Sequence, residues 1–562
     1  MYLRKGPPSP QCLTNDYMKQ EFMARTLIVS LHLISISLLF APSFADPSSP
    51  IPPSVACCST PYPQFCKSIL PGTQNSSHSL YDYGRFCILR SLSNAQKFYQ
   101  VIQRYLTNTN NGSLSPAAMS ALEDCLLLSG LNIEYLDSAI KGLNNTNSTL
   151  LDPNADTLQT LLSALLTNLQ TCTDGLVANN ITIPSISDCS KLYSVSLALY
   201  TNAWNPGGMR HLFHNGSVSP RVLNNPNLKS IRPGSRRLLQ TVMVYDIVVV
   251  DQNGGSNYNT IGAAVAAAPK YLDGTKGYFL IYVMAGVYNE YISIAPSQSY
   301  LMIIGDGIGQ TVITGNRNAG PVWSTFSSAT FAVGGQGFVG IGLTIQNTAG
   351  AINGQAVALR NTADLSVFYQ CSIEGYQDTL YAHSMRQFYR DCNIYGTVDF
   401  IFGNAAAVFQ DCSIYAQVPL RGQGNTITAQ SRSDPNQNTG FSFQGCQIKA
   451  GPDLAAIGNV VPTFLGRPWM LYSRVVVMQS FLDSLINPAG WSVWYGTYGL
   501  STLYYAEYAN WGPGSWTGNR VTWPGYHLIS NNDAINFTVS AFIIGDIWLW
   551  QTGVPYNSGF LW

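Results

Sequence analysis

Two hydrophobic periods divide this chain of 562 residues. Between residues 57 and 204, apolar positions recur at three-to-four spacing. The clearest segments are AMSALEDCLLLSGLNIEYLDSAI at 118–140 and DTLQTLLSALLTNLQTCTDGL at 156–176. That spacing puts Leu, Ile and Ala on one face and predicts amphipathic α-helices. Four or so of them predict a small bundle. After Gln240 the helical period vanishes. Short runs rich in Val, Ile, Phe, Tyr and Thr alternate with Gly and Asn: DIVVV at 246–250, FLIYV at 279–283, LMIIG at 301–305 and FVGIGLTIQN at 338–347. These predict strands.

An imperfect repeat runs through this second half: FYQCSI at 368–373, FYRDCNI at 388–394, FQDCSI at 409–414 and FQGCQI at 443–448. Each unit is an aromatic, polar residues, Cys, one residue, Ile. The first three cysteines are 21 and 20 residues apart. A period near 20 made of short strands predicts the coils of a parallel β-helix. Stacked coils bring equivalent residues about 4.8 Å apart, so Cys371, Cys392 and Cys412 are expected in one interior ladder. Neighbours at that spacing can pair with modest adjustment. Cys392–Cys412 is the favoured bridge and Cys412–Cys446 the runner-up; a ladder of free, buried thiols is the alternative.

Residues 205–240 are rich in Pro, Gly, Asn and Arg and read as a linker ending in RRLLQ at 236–240. A dibasic pair there is a candidate protease site. Near the N-terminus, the 14-residue apolar run 27–40 is short for a bilayer span and has the length of a signal-peptide core. Arg25 precedes it, and SFA at 43–45 follows as a small-x-small cleavage site. The expected division is therefore a signal peptide with an N-terminal extension (1–45, the signal proper being 23–45), a helical region (46–204), the linker (205–240) and a strand-rich region (241–562). Seven N-x-S/T sequons follow the signal, at Asn75, Asn111, Asn144, Asn147, Asn180, Asn215 and Asn536. They predict a secreted, glycosylated chain, and in that setting the cysteines become disulfide candidates. Cys125 and Cys172 fall in the two helices quoted above, where a bridge would staple them. Cys57 and Cys66 flank a Pro-broken turn that a second bridge would close.

Formal net charge is zero, so nothing points to nucleic acid. From residue 240 onward 12 Lys+Arg stand against 17 Asp+Glu, a net of −5; residues 1–239 hold 17 against 12, or +5. Attraction between the halves is one reading, and two solvated surfaces of unrelated charge is the other. With no CxxC or HExxH and only six His, a zinc enzyme is not expected.

Two acids stand in surroundings that do not suit them. Asp399 lies in TVDFIFGN at 397–404 and Asp378 in YQDTLY at 376–381. A carboxylate among Val, Phe and Ile is costly to ionise unless paired and hydrogen-bonded. Asp378 follows Cys371 by seven residues and Asp399 follows Cys392 by seven, so the two share one phase of successive coils. Adjacent carboxylates do not both ionise freely: one keeps its proton while the other is a carboxylate. Arg467 is a candidate to hold Asp399 ionised and oriented. Gln377, next to Asp378, and Gln355, 22 residues earlier, are neutral donors suited to an oxyanion. Tyr376, Tyr381, Phe400, Phe402, Trp469, Trp491 and Trp494 include rings suited to stacking on sugars, though most are expected to be packing residues.

Five segments occur in order: GVYNE at 286–290, QAVAL at 355–359, QDTL at 377–380, DFIFG at 399–403 and LGRPW at 465–469. They resemble the five signature segments of pectin methylesterases, and the resemblance covers residues 242–562 nearly throughout. CCSTPYPQFC at 57–66 and ALEDC at 121–125 resemble the pectin methylesterase inhibitor domain. The whole is similar to two-part plant pectinesterases, in which RRLL at 236–239 matches the processing site. This resemblance implies an all-β, right-handed parallel β-helix preceded by an all-α four-helix bundle. It implies a secreted aspartyl esterase of the cell wall that demethylesterifies pectin and releases methanol. Asp399 would be the nucleophile, and Asp378 the acid and then the base. Gln355 and Gln377 would steady the oxyanion, Arg467 would orient Asp399, Trp469 would line the sugar subsite, and Thr325 would be a further substrate contact. The implied partners are methylesterified pectin, a processing protease, and the chain's own pro domain, which keeps the enzyme inactive until cleavage. The chain is expected to act as a monomer, and no metal or organic cofactor is implied. Two departures bear on the bridges: Cys58 doubles the usual single Cys, so either Cys57 or Cys58 is placed to pair with Cys66, and Cys87 and Cys189 have no assigned partner.

Two other readings compete. A β-helix lyase would want a calcium site with clustered acids, and a polygalacturonase would want acids spaced to attack a glycosidic bond; two in-phase Asp with two Gln fit acyl transfer better. In the other reading the chain is a secreted binding protein whose bundle is the active part, against which the complete motifs argue.

Overall fold

The computed structural model describes residues 46–71, 78–108, 114–144, 146–151, 153–206, 242–458 and 460–562. The expected signal segment 1–45, the sequons at Asn75, Asn111 and Asn215, and RRLL at 236–239 lie outside the described residues. Asn144, Asn147, Asn180 and Asn536 are exposed.

Four long helices form the N-terminal half: α1 (Leu80–Asn108), α2 (Pro116–Leu143), α3 (Asn154–Ala178) and α4 (Ile186–Trp204). The start of α2 is fixed locally. Pro116 occupies its first turn, where no amide bond is lost, and the Ser115 hydroxyl accepts the Ala118 amide. The apolar faces meet in a core that includes Ile102, Leu122, Leu136, Leu165, Leu169, Leu197 and Trp204. Cys125 of α2 is bonded to Cys172 of α3, and Cys57 to Cys66 across the N-terminal turn. Cys87 and Cys189 are buried free thiols.

The second half is a parallel β-helix of three sheets with 11, 7 and 8 strands. Its interior is built from ladders of like residues. Strand register aligns Ile313, Ile345, Ile373, Ile394, Ile414 and Ile448. Phe368, Tyr389, Phe409 and Phe443 stack ring on ring at 5.6, 4.7 and 4.6 Å. The repeat read from the sequence is this pair of ladders.

The cysteine ladder differs from the favoured expectation. Cys371, Cys392, Cys412 and Cys446 are all buried free thiols, so neither Cys392–Cys412 nor Cys412–Cys446 is a bridge. Each thiol donates to a carbonyl of the preceding coil: Cys371 to Gly340 (3.5 Å), Cys392 to Phe368 (3.3 Å), Cys412 to Tyr389 (3.4 Å) and Cys446 to Phe409 (3.3 Å). In-phase stacking keeps their Cα–Cβ vectors parallel, whereas a bridge requires them to converge.

The seven-stranded sheet faces the bundle. Its strands are β1 (Ile292–Ile294), β2 (Phe331–Val333), β3 (Leu359–Asn361), β4 (Leu380–Ala382), β5 (Ile401–Gly403), β6 (Asn425–Gln430) and β7 (Thr463–Gly466). Phe331, Leu359, Leu380 and Ile401 point into the β-helix core. Ala332, Tyr381, Phe402 and Ala429 point outward and pack with Leu128 and Leu131 of α2.

Polar contacts pin α3 across the same face. Arg386 reaches Asp156 at 3.0 Å and Asp364 at 2.6 Å, with 4% of the Arg386 side chain and none of the Asp156 side chain exposed. Asn438 donates to Thr160 (2.8 Å), Gln437 to the Ser163 carbonyl (2.9 Å) and Asn404 to Thr167 (2.9 Å). The ion pair runs against the net charges, since here the bundle supplies the acid. The basic surplus of the first half lies elsewhere: residues 207–239 hold six Lys and Arg and no acid.

Free thiols in the ladder lead to a direct expectation. Alkylation of the unfolded, unreduced chain should label Cys371, Cys392, Cys412 and Cys446, read by mass spectrometry of the peptides. Recovery of a Cys392–Cys412 cross-linked peptide would contradict the ladder.

Candidate active site in the groove

The two acids enter the groove through one structural device. Leu380 pairs with Ile401, and Ile401 with Thr428, so Asp378, Asp399 and Thr426 occupy one position on three successive coils. Both Asp residues sit in the left-handed region, at φ 60° and 52°. Asp tolerates that region better than most residues because its short polar side chain bonds locally. One left-handed residue breaks the strand's alternation, and both carboxylates line the groove instead of joining the core.

Asp399 is held on both oxygens. Arg467 Nε lies 2.7 Å from Oδ1 and a terminal nitrogen 2.6 Å from Oδ2. The Thr426 hydroxyl donates to Oδ1 at 2.6 Å and accepts the Asp399 amide at 2.9 Å. A two-pronged, charge-assisted clamp of this kind fixes the direction of the side chain. Asp378 meets the opposite environment. Burial, then the charge of Asp399, raise its pKa well above the ordinary carboxyl range, with Arg467 opposing. One acid is therefore oriented by a guanidinium beside another whose burial favours the protonated form, an arrangement suited to a nucleophile and a proton donor.

A single cavity of about 550 Å³ gathers every site residue expected from the sequence: Thr325, Gln355, Gln377, Asp378, Asp399, Arg467 and Trp469. The Arg467 guanidinium lies over the Trp494 ring at 4.5 Å. Tyr381 and Phe402 stack at 4.1 Å on the floor, with Trp469 6.1 Å from Phe402. Of the aromatics flagged, Tyr381, Phe402, Trp469 and Trp494 line the cavity, while Phe400 and Trp491 are buried in the core.

Thr426, and Trp323 of the cavity wall, were not legible. Thr426 follows Asp399 by 27 residues because the loop 417–424 lengthens that coil, so a period of 20 or 21 did not point to it. Nor did the sequence indicate the bundle's share of the cavity wall. Asp124, Thr171 and Asp174 line it, and Thr171 bonds to His383 at 2.9 Å. Burial first pushes the carboxyls of Asp124 and Asp174 up to about 6, and burial first pushes the His383 imidazole down to about 3.

Comparison with known proteins places this geometry. The family model described as Pectinesterase matches residues 246–546, and the one described as Plant invertase/pectin methylesterase inhibitor matches 54–199. "Probable pectinesterase/pectinesterase inhibitor 41" of Arabidopsis thaliana is 49% identical over 90% of this chain and 94% of its own. "Pectinesterase 2" of Citrus sinensis is 42% identical over 96% of this chain and 100% of its own. Among solved structures, "Pectin methylesterase from Carrot" is 49% identical, with a TM-score of 0.55, over 56% of this chain and 98% of that one.

Proposed function

This chain belongs to the pectinesterase family, with an inhibitor-family domain ahead of the enzyme, and from that premise we propose how its groove works and how it is kept shut. A pectinesterase removes methyl esters from pectin. Asp399 attacks the C6 ester carbonyl of a galacturonate unit. The side-chain amides of Gln355 and Gln377 receive the oxyanion. Asp378 gives its proton to the departing methoxide, which leaves as methanol, and Asp399 stays acylated. Asp378, now a carboxylate, takes a proton from water as its oxygen attacks the acyl carbon. Collapse of that adduct frees the galacturonate and restores Asp399. Arg467 aims the nucleophile, Trp469 stacks on the sugar and Thr325 contacts the polymer. The observation that carries this reading is Asp399, clamped by Arg467 and Thr426, beside the buried Asp378.

The same reading makes the bundle a plug. Leu128 and Leu131 cover Tyr381 and Phe402, and Asp124, Thr171 and Asp174 stand in the cavity, where a polymer would lie. Cleavage in the 205–240 linker, after Arg237 or nearby, then frees the groove once the chain has been secreted to the cell wall.

Methanol release from highly methylated pectin, with polymer length followed in parallel, tests the chemistry on residues 240–562. Wild type should release methanol without shortening chains, and Asp399→Ala should lose at least about a thousandfold in rate. Shortened chains would instead point to a lyase or hydrolase. An Arg236→Ala/Arg237→Ala chain that stays uncut should be inactive on the same pectin; full activity would sink the plug.

Docking should also tighten in acid. The Asp124 and Asp174 carboxyls sit higher when covered than their ordinary values near 3.8, so the covered form binds more protons. Their contribution is present at low pH and lost as pH rises through about 6. His383 opposes it, since covering favours the neutral ring below its ordinary 6.5. Around pH 5 two carboxyls gain protons against one imidazole that loses one. The affinity of the separate bundle for the β-helix half, measured by calorimetry, should rise from pH 7 to pH 5.

A further inference from the structure

Tryptophan is mostly buried in folded chains, yet Trp511, Trp516 and Trp562 are 55%, 72% and 70% exposed with the bundle docked. None of them lines the catalytic cavity. They gather on a different face, beside the last strand of the eight-stranded sheet, Phe481–Leu482. Trp511 forms a parallel bridge to Phe481, and Trp516 follows it by one short loop. Gln479, two residues before Phe481, bonds the backbone of Leu561 and Trp562. Exposed rings scattered singly need no explanation, but three around one half-buried Phe do.

The segments that carry these rings are held still. The Trp511 amide donates to the Ser480 carbonyl at 3.0 Å, and its carbonyl accepts the Leu482 amide at 2.8 Å. Its indole meets the Phe481 ring edge-on at 4.8 Å. Gly512, at φ 97°, then turns the loop back on the strand, where a Cβ would meet the Leu482 carbonyl oxygen at 2.6 Å. Arg520, paired with Glu507 at 2.8 and 3.1 Å in the interior, donates to the Gly514 carbonyl at 2.8 Å and ties the loop to the core. A Cβ on Gly518 would meet Trp516 Nε1 at 2.7 Å, so that indole lies against bare backbone with the rest of it in water. On the Trp562 side, Gln444 donates to the Gly559 carbonyl at 2.8 Å, and Gln479 accepts the Leu561 amide and donates to the Trp562 carbonyl, each at 3.1 Å. Rings on fixed segments lose little freedom when a partner settles on them.

The charges around the rings say which partner fits. Asp483 follows Leu482, and Lys449 stands beside it on the neighbouring strand, since Ile448 pairs with Leu482. Asp411 and Leu561 both lie against Gly445, and Arg390 bonds Asp411 at 2.6 Å and Asp391 at 3.4 Å. Three acids thus stand against two cations, each already beside an acid. An anionic polymer gains nothing from that balance. The groups between the rings are hydroxyls and amides, at Gln447, Ser515, Thr517 and Asn519, and they break the apolar surface into separate platforms.

We propose that Trp511, Trp516 and Trp562, set around Phe481, form a second polysaccharide-binding surface, separate from the groove, whose ligand is an uncharged, β-linked glycan. A chain of equatorially linked sugars is a flat ribbon. Its ring faces carry C–H groups that stack on indoles, and its edges carry hydroxyls that meet the polar groups between them. Such a ligand needs no cation, in contrast to a polyuronate. The surface is open whether or not the bundle is docked, so it acts on the uncut chain as well as on the cut one. Where a neutral glycan and the ester substrate share one matrix, holding the first raises the effective concentration of the second at the groove.

The test uses the uncut Arg236→Ala/Arg237→Ala chain, run in native gels cast with hydroxyethyl cellulose, a soluble neutral β-glucan. The gel should retard it, and adding Trp511→Ala/Trp516→Ala should weaken the apparent affinity about tenfold or more. Trp562→Ala should weaken it as well. Both variants should keep the melting temperature of the parent, since the rings removed are exposed. Fully de-esterified galacturonan in the gel should cause no retardation that depends on these tryptophans. In the chain that retains Arg236 and Arg237, once cut, the double variant should release methanol from soluble pectin at the wild-type rate. No retardation of the parent, or equal retardation of the double variant, overturns the surface. Retardation by galacturonan that the double variant loses overturns the uncharged ligand. A chain that runs as a dimer until the two tryptophans are removed shows that a second copy covers them, and overturns the proposal too.

Discussion

Parallel hydrogen bonding between successive coils sets the spacing on which the groove depends. It holds equivalent residues of neighbouring coils about 4.8 Å apart, and it does so whether they are Ile, Phe, Cys or Asp. In the core this gives the stacked rings and the Ile row. On the outer edge it brings Asp378 and Asp399 together with Thr426. Two carboxylates brought this close cannot both be anions at little cost, and the fold meets that cost unequally. Arg467 and Thr426 bind and orient Asp399, while burial and the neighbouring charge raise the pKa of Asp378. The asymmetry that chemistry requires is thus a product of position.

The same stacking explains the free thiols. A row of cysteines at coil spacing suggests cross-links, yet the sulfurs stay unbridged, and each thiol donates to a carbonyl of the preceding coil. Among the described residues the bridges with both partners on view lie in the helical half, Cys57–Cys66 and, between α2 and α3, Cys125–Cys172. A small helical bundle gains more from a covalent tie than a long β-helix already closed by hydrogen bonds on every coil.

Between the halves, recognition is local. Net charges of opposite sign suggest a broad attraction, but the contact rests on the buried Arg386–Asp156 pair, on amide side chains reaching α3, and on Leu128 and Leu131 set over Tyr381 and Phe402. The basic surplus sits in the linker sequence, where residues 207–239 hold six Lys and Arg and no acid. The bundle therefore covers the groove by matching its shape and its donors, including those at Ser324 and Ser327.

By itself the sequence determined the two periods, and with them a helical half and a coiled half, the phase shared by Asp378 and Asp399, and a set of candidate residues that all reach one cavity. These were legible because each is a property of spacing along one chain. Tertiary structure alone decided the rest. Thr426 joined the site because a longer coil closed back into register. Arg386 and Asp156, 230 residues apart, became a pair because one half docked on the other. The cysteines stayed free because register set the direction of their side chains. A repeat fixes which residues share a phase, but where a side chain points and what covers it depend on segments distant in sequence meeting in space.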